Sequence, residues 1–308
     1  MDERQKIELR RIGGPQVRFD SPMSRLTTFR VGGNAEAIYE SMDLEGLRRV
    51  ISYLVQEEIP YLVIGRGSNL LVGDGGIRGV VILLSGSHAE IGRKKSDHSG
   101  ISVGAGLAIS DLLIWCRDAG ISGLEFLAGI PGTVGGAVAM NAGAFGNEIG
   151  TRVTQIRLVT PRGELALIDR SRLRFSYRTL DLEKGAVITQ VSFRLDRETG
   201  KTVSKRMAGY LRRRKERQPL EYSSAGSVFK NPANDYAGRL MEQAGLKGKE
   251  IGGAMISTRH ANFIVNKGGA TAADILALID AAREAVWRSA GVQLELEIQV
   301  VGDPVHTD

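Results

Sequence analysis

Two glycine-dense segments are the first places in this sequence where residue type and spacing could serve chemistry. Gly65-Arg66-Gly67-Ser68-Asn69-Leu70 follows the apolar run Tyr61-Leu62-Val63-Ile64 and begins like a dinucleotide fingerprint. Leu70 stands where that fingerprint needs its last glycine, and no helical pattern follows directly, so a Rossmann unit is not predicted. Gly104-Ala105-Gly106 fails in the same way at Ile109, and no Walker lysine pattern occurs. Taken alone, either loop is a glycine turn. The second segment is longer: Ala128-Gly129-Ile130-Pro131-Gly132-Thr133-Val134-Gly135-Gly136-Ala137 runs into Met140-Asn141-Ala142-Gly143-Ala144-Phe145-Gly146. So many small residues in one stretch suit a pyrophosphate, because bare backbone N–H groups can then converge on its oxygens. Asn141, Ser68 and Asn69 add side-chain donors at the two loops.

Other reactive side chains are sparse. His88, His98, His260 and His306 show no metal-ligand spacing, so no metal is expected. His260 reads as a packing residue. The one cysteine, Cys116, excludes an internal disulfide, fits a reducing compartment, and reads as a small buried hydrophobe. The net charge of +6 favours phosphate-bearing partners. Its densest stretch, Arg212-Arg213-Arg214-Lys215, ends an amphipathic helix from Thr202 to Arg217, with Met207, Tyr210 and Leu211 on the apolar side. That stretch reads as a solvated helix face, and without interleaved stacking aromatics nucleic acid is not an expected partner. The first residues are charged and lack a secretory core. The longest apolar run, Val80 to Leu84, is too short to span a membrane, so a cytoplasmic chain is expected.

The elements that must position these residues follow from periodicity. A strand is predicted through Arg30-Val31 and on to Ile38-Tyr39. A helix capped by Asp43 follows, with Leu44, Leu47, Val50, Ile51, Leu54 and Val55 at helical spacing. Strands are predicted at 61–64, 80–84 and 101–103, then a helix capped by Ser110 and stopped at Gly120. Strands at 153–160 and 164–168 flank the turn Pro161-Arg162-Gly163. The alternation from Val187 to Leu195 predicts a half-buried strand. A polar stretch at 196–201 sets the expected domain boundary. Beyond it come the basic helix, a helix over 235–244, strands at 251–256 and 262–265, and a helix with a Thr271/Asp274 capping box that ends at Gly291. In the last strand Val292, Leu294, Leu296, Ile298 and Val300 face one way, and Gln293, Glu295, Glu297 and Gln299 the other.

With Thr28-Phe29-Arg30-Val31-Gly32-Gly33 before them, the two glycine loops resemble those of the UDP-N-acetylenolpyruvoylglucosamine reductases, in their shorter subclass. The resemblance runs from about Leu26 to Gly302. It departs from the family pattern at Thr27, where Asn is usual, and at Leu180, where Ser often stands. It implies an α+β chain: residues 1–196 as an FAD-binding domain of the vanillyl-alcohol oxidase/p-cresol methylhydroxylase type, with subdomains at about 22–86 and 87–196, then a substrate domain over 197–308. It implies non-covalent FAD held by Gly65, Arg66, Gly67, Ser68, Asn69, Leu70, Gly129, Ile130, Pro131, Gly132, Thr133, Gly135, Gly136, Asn141, Ala142 and Gly143, with NADPH as reductant. The implied reaction reduces the enolpyruvyl double bond of a nucleotide sugar, with Arg178 facing the carboxylate, Ser227 giving the proton and Glu297 assisting. Tyr177, Arg217, Lys230 and Asn231 are implied to line the substrate, and a monomer is expected.

The same residues read differently without the resemblance. Arg178 is then a surface arginine, Ser227 a turn residue, and Glu295 and Glu297 two solvated carboxylates. An oxidase of the same fold is the rival enzyme. A non-catalytic, basic nucleotide- or nucleic-acid-binding protein is the rival from another class.

Overall fold

The computed structural model describes residues 1–93 and 100–304; His98 and His306 lie outside them. Helix α1 (Glu3–Gly13), not among the predicted elements, is the first, fixed by a capping box between Asp2 and Gln5. Strands β1 (Val17–Pro22) and β2 (Asn34–Ser41) precede α2 (Leu44–Gln56), where Asp43 caps as predicted by accepting from Gly46 N at 2.7 Å. Arg30 and Gly32, expected in the first strand, are instead left-handed at φ 57° and 108°, and a left-handed residue cannot continue a strand. Next come β3 (Tyr61–Ile64), β4 (Leu70–Val72), β5 (Ile77–Leu84), β6 (Ile91–Arg93) and β7 (Gly100–Gly104). Helix α3 (Ile109–Ala119) starts a residue before Ser110, whose hydroxyl bonds Asp111 instead of capping. Strand β8 (Ile121–Ser122), the short helix α4 (Val134–Ala139) and the hairpin of β9 (Gly143–Ala144) and β10 (Asn147–Glu148) carry the second glycine segment. Then follow β11 (Val153–Val159), β12 (Leu165–Asp169), the hairpin of β13 (Phe175–Ser176) and β14 (Thr179–Leu180), β15 (Val187–Arg194) and β16 (Asp196–Arg197). The chain closes with α5 (Gly200–Arg217), α6 (Ala237–Gln243), β17 (Glu250–Ile251), β18 (Ala254–Ile256), β19 (Ile264–Asn266), α7 (Ala272–Ala290) and β20 (Gln299–Val301).

Two compact units result. The first comprises Met1–Phe19, Ala37–Gly65 and Gly79–Arg213; the second comprises Asp20–Glu36, Arg66–Arg78 and Arg214–Asp308. In the first unit a five-stranded sheet runs β12-β11-β15-β7-β6, all neighbours antiparallel. Its central strand, β15, is buried at Val187, Ile188, Thr189, Val191, Ser192 and Phe193, so the half-buried expectation is corrected. A strand with partners on both edges and apolar packing on both faces has no solvent side. A second apolar cluster joins Leu47, Val50, Ile51 and Leu54 of α2 to Val80 and Ile82 of β5, whose residues pair in parallel with β3.

The second unit centres on the antiparallel sheet β17-β18-β19 and the inner face of α7, with Phe229, Ile256, Ile264, Ile275, Leu278 and Ile279 in its core. The α7 capping box forms as predicted: Asp274 N donates to Thr271 Oγ1 at 3.0 Å and Thr271 N to Asp274 Oδ2 at 2.9 Å. The expected long last strand is shortened to β20, which pairs in parallel with β4. Val228 O accepts from both Glu297 N (2.8 Å) and Ile298 N (3.4 Å). Two residues opposite one make a bulge, and the strand bends there. Mixed α and β elements in largely antiparallel sheets bear out the α+β expectation.

Candidate active site

Within the first unit the second glycine segment wraps the start of α4. Thr133 caps that helix, its Oγ1 accepting from Gly136 N at 3.4 Å. The N–H groups of Ile130, Val134 and Gly135 are engaged by Leu127 O, Leu107 O and Ala105 O. Gly129, Gly132 and Thr133 retain N–H groups that bond no acceptor among the described residues. None of the three is buried. Gly65 abuts the same loop, since a methyl group added there would stand 2.5 Å from Thr133 Oγ1.

The glycines differ in what they are for. Gly132 holds φ 155°, and a methyl group on buried Gly135 would meet Ala105 Cβ at 2.7 Å, so substitutions at either disturb the fold itself. Gly136 is exposed, and a methyl group there meets only Thr133 Oγ1 at 3.5 Å. Gly136→Val is therefore expected to give folded protein with much reduced FAD content, whereas Gly135→Val loses fold and flavin together. Circular dichroism and flavin absorbance on the same samples check this; a fully flavinated Gly136→Val would exclude this loop as the pyrophosphate site.

Asn141, fully buried at φ 40°, uses its side chain inside the protein. Its Nδ2 donates to Glu148 Oε2 (2.8 Å) and Ser176 O (2.9 Å), while Oδ1 accepts from Gly150 N (3.1 Å). It thus ties the glycine segment to the β13–β14 hairpin, and what it gives the site is shape. Arg178 sits in that hairpin's two-residue turn at φ 59°. A left-handed arginine costs of order 1 kcal/mol, and such strain persists where the surroundings fix it. The Arg178 guanidinium carbon lies 5.0 Å from the Tyr177 ring centre. Arg178 Nη1 is 3.0 Å from where a Gly143 Cβ would stand, so the missing side chain makes room for the guanidinium. The structure thereby gathers Asn141, Gly143, Tyr177 and Arg178.

In the second unit the first glycine loop turns at Gly67, φ 57°, where a Cβ would collide with Leu26 O; only glycine fits there. Thr28 N donates to Gly67 O at 3.3 Å, and the buried Thr28 Oγ1 has no protein partner. Asn69 Nδ2 donates to Glu297 O (3.0 Å) and Asn69 O accepts from Gln299 N (2.9 Å), so the loop adjoins the last strand.

The segment 227–230 lies between two others. On one side Ser227 bridges Phe263; on the other Phe229 bridges Leu296 and Val228 O accepts from Glu297 N. Ser227 and Glu297, far apart in sequence, are thereby neighbours. Ser227 and Glu297 are both half-buried, whereas Glu295 is exposed and faces Lys230 Nζ at 3.6 Å. Lys230, implied by the resemblance to line the substrate, thus pairs with Glu295. Asn231 Oδ1 accepts from Ala237 N, the first residue of α6, at 3.1 Å, which is a capping contact. Arg217 is exposed at the end of α5.

A model of an FAD binding domain matches residues 35–168, and a model of the UDP-N-acetylenolpyruvoylglucosamine reductase C-terminal domain matches residues 218–301. A UDP-N-acetylenolpyruvoylglucosamine reductase of Geobacter metallireducens is 44% identical over 284 residues, 92% of this chain and 93% of its own. This chain belongs to the UDP-N-acetylenolpyruvoylglucosamine reductase family. A Syntrophus aciditrophicus reductase is 42% identical, covering 97% of this chain and 96% of its own. The crystal structure of the Thermus caldophilus reductase superposes with TM-score 0.79 at 38% identity, covering 92% of this chain and 97% of that one. The family resemblance read from the sequence is borne out, as is the order of an FAD binding domain followed by the reductase C-terminal domain.

The residues fit an FAD. Backbone donors at Gly129, Gly132 and Thr133 in the first unit, none of them buried, are groups that a pyrophosphate would satisfy. Several features of this reductase were not read from the sequence. Arg214, within the stretch read as a solvated face, is buried at 9% exposure. Leu211, expected on the apolar side, is 45% exposed, while Met207 and Tyr210 pack on the core. Phe145 (φ 54°), the lone aromatic of the glycine run, stands 4.9 Å from the Tyr210 ring with the Arg213 guanidinium over it at 5.9 Å. His88 and His260 are packed, and burial lowers both pKa values. Burial also pushes the Cys116 thiol up to about 12. Among the described residues no three His, Cys, Asp or Glu side chains gather as a metal site, and no helix is long and apolar enough to cross a membrane.

Proposed function

We propose that this chain reduces the enolpyruvyl group of UDP-N-acetylglucosamine enolpyruvate to UDP-N-acetylmuramate in peptidoglycan precursor synthesis, using FAD and NADPH. The observation that carries the reading is identity of 44% to a reductase of this activity over nearly the full length of both chains. Residues 1–196 form the FAD-binding domain and 197–308 the substrate domain. The glycine loops Gly65–Leu70 and Gly129–Gly136, with Asn141–Gly143, hold the cofactor. Bound there, FAD would supply the hydride chemistry that links NADPH to the terminal CH2 carbon of the enolpyruvyl group.

The chain's residues manage the charge and the proton. As hydride adds, negative charge moves onto the substrate carboxylate, and the planar fork of Arg178 is suited to hold it. Ser227 Oγ–H delivers a proton to the adjacent carbon, completing the saturated ether. Glu297, joined through its amide to the Ser227 segment, orients or polarises that donor. Tyr177, Arg217, Lys230 and Asn231 contact the nucleotide sugar, although Asn231 also caps α6. The chain acts as a cytoplasmic monomer that binds neither nucleic acid nor membrane, a reading supported by its lone buried cysteine and the lack of interleaved aromatics in its basic stretch.

The test is an NADPH oxidation assay on the FAD-loaded protein with and without the enolpyruvyl sugar nucleotide. Substrate-dependent oxidation with stoichiometric UDP-N-acetylmuramate is the expected result. NADPH consumption indifferent to that substrate would sink the reading.

A further inference from the structure

The buried polar groups of the second unit include one amide devoted to a single neighbour. Asn262 is 3% exposed. Its Nδ2 donates to Phe229 O at 2.8 Å, and its Oδ1 accepts from Phe229 N at 2.9 Å. The Asn262 carbonyl also accepts from Val228 N at 2.8 Å. One residue therefore makes three hydrogen bonds to the two residues that follow Ser227. Its side chain pairs with Phe229 as the edge of a strand would, in a stretch where neighbouring contacts are isolated bridges. Phe229 is fully buried, so its N–H and C=O have no water to fall back on and stay with the amide. On the preceding side the chain turns at Gly226, φ 77°, with open space where its Cβ would be, and Ser227 itself bridges Phe263, the residue after Asn262.

From this we infer that Asn262 is the positioning residue of Ser227: it fixes the backbone that aims the serine hydroxyl and holds Val228 where its carbonyl meets the Glu297 amide. The inference rests on the reading of Ser227 as proton donor. Asn262 itself touches neither substrate nor cofactor in this role. A hydroxyl that must meet a carbon atom tolerates little displacement; a shift of about 1 Å costs on the order of 10²-fold in rate.

The test is a double-mutant cycle on FAD-loaded, full-length protein, with Asn262→Ala and Asn262→Asp each combined with Ser227→Ala. Asn262→Asp keeps the side chain's size and one acceptor toward Phe229 N, and serves if the alanine variant does not fold. Flavin content, thermal midpoint, flavin reduction by NADPH and reoxidation by the enolpyruvyl substrate are measured on every variant. The expected result is normal flavin content, a near-normal NADPH step, and a substrate step slowed by about 10²-fold in Asn262→Ala. In the Ser227→Ala background the same change should cost no more than about twofold, because the group it aims has gone. Full additivity, with Ser227→Ala acting on the substrate step alone, overturns the role of Asn262 and leaves that of Ser227 standing. Loss of flavin in both Asn262 variants also overturns it, in favour of a residue that merely holds the fold. Ser227→Ala slowing both half-reactions equally overturns the proton-donor reading and this inference with it.

Discussion

Ser227→Ala is expected to leave NADPH reduction of the bound flavin near its normal rate and to slow reoxidation by substrate at least as much as the roughly 10²–10⁴-fold typical of losing a general acid. The asymmetry follows from where a proton is needed. Transfer of hydride from NADPH calls for none from Ser227. Saturating the enolpyruvyl carbon does, and a hydroxyl must be well placed to give it because it is a feeble acid. The structure places Ser227 after a left-handed glycine with open space beside it, bridged to Phe263 and one residue from the carbonyl that meets Glu297 N. Ser227→Cys should recover part of the loss, since a thiol can also deliver a proton from that position. Stopped-flow traces at the flavin absorbance separate the two steps. Equal slowing of both in the alanine variant would make Ser227 a residue that holds the site's shape.

Why some of this was legible in the sequence and some was not comes down to the range of the interactions. Asp43, Thr271 and Asp274 cap helices a few residues away, so their types and spacing suffice to find them. Asp2 and Gln5 carry the same local signature, and it is equally legible at the start of α1. Glycine density marked the cofactor loops, yet it could not separate Gly135, which must clear Ala105, from Gly136, which faces outward. Asn141 looked like a donor for a ligand because its type allows it, while its partners at Glu148, Gly150 and Ser176 are set by the fold. The alternation from Val292 to Val300 gave buried Leu294 and Ile298 correctly. It could not show the bulge opposite Val228, because the partner segment lies far away in the chain. For the same reason nothing local pointed to Asn262, or to the burial of Arg214 within a run of exposed basic residues.

Arg178→Lys is expected to fold, bind FAD and accept electrons from NADPH, yet reduce substrate about 10²–10³-fold more slowly, the scale of losing one preorganised donor at a developing oxyanion. Lysine keeps the positive charge. It is also no more strained than arginine at φ 59°, so neither net charge nor backbone conformation changes across the substitution. What changes is the head group: a planar fork that meets both oxygens of a carboxylate becomes a single ammonium. The setting is built around the fork. Tyr177 lies 5.0 Å from the guanidinium carbon, and Gly143 leaves clear the space that Nη1 approaches. An ammonium would use neither feature well, because it is compact and more strongly hydrated. The loss should appear in the substrate step, since growing charge on the carboxylate exists only there. Arg178→Lys turning over near the normal rate would reduce Arg178 to a surface residue in a strained turn.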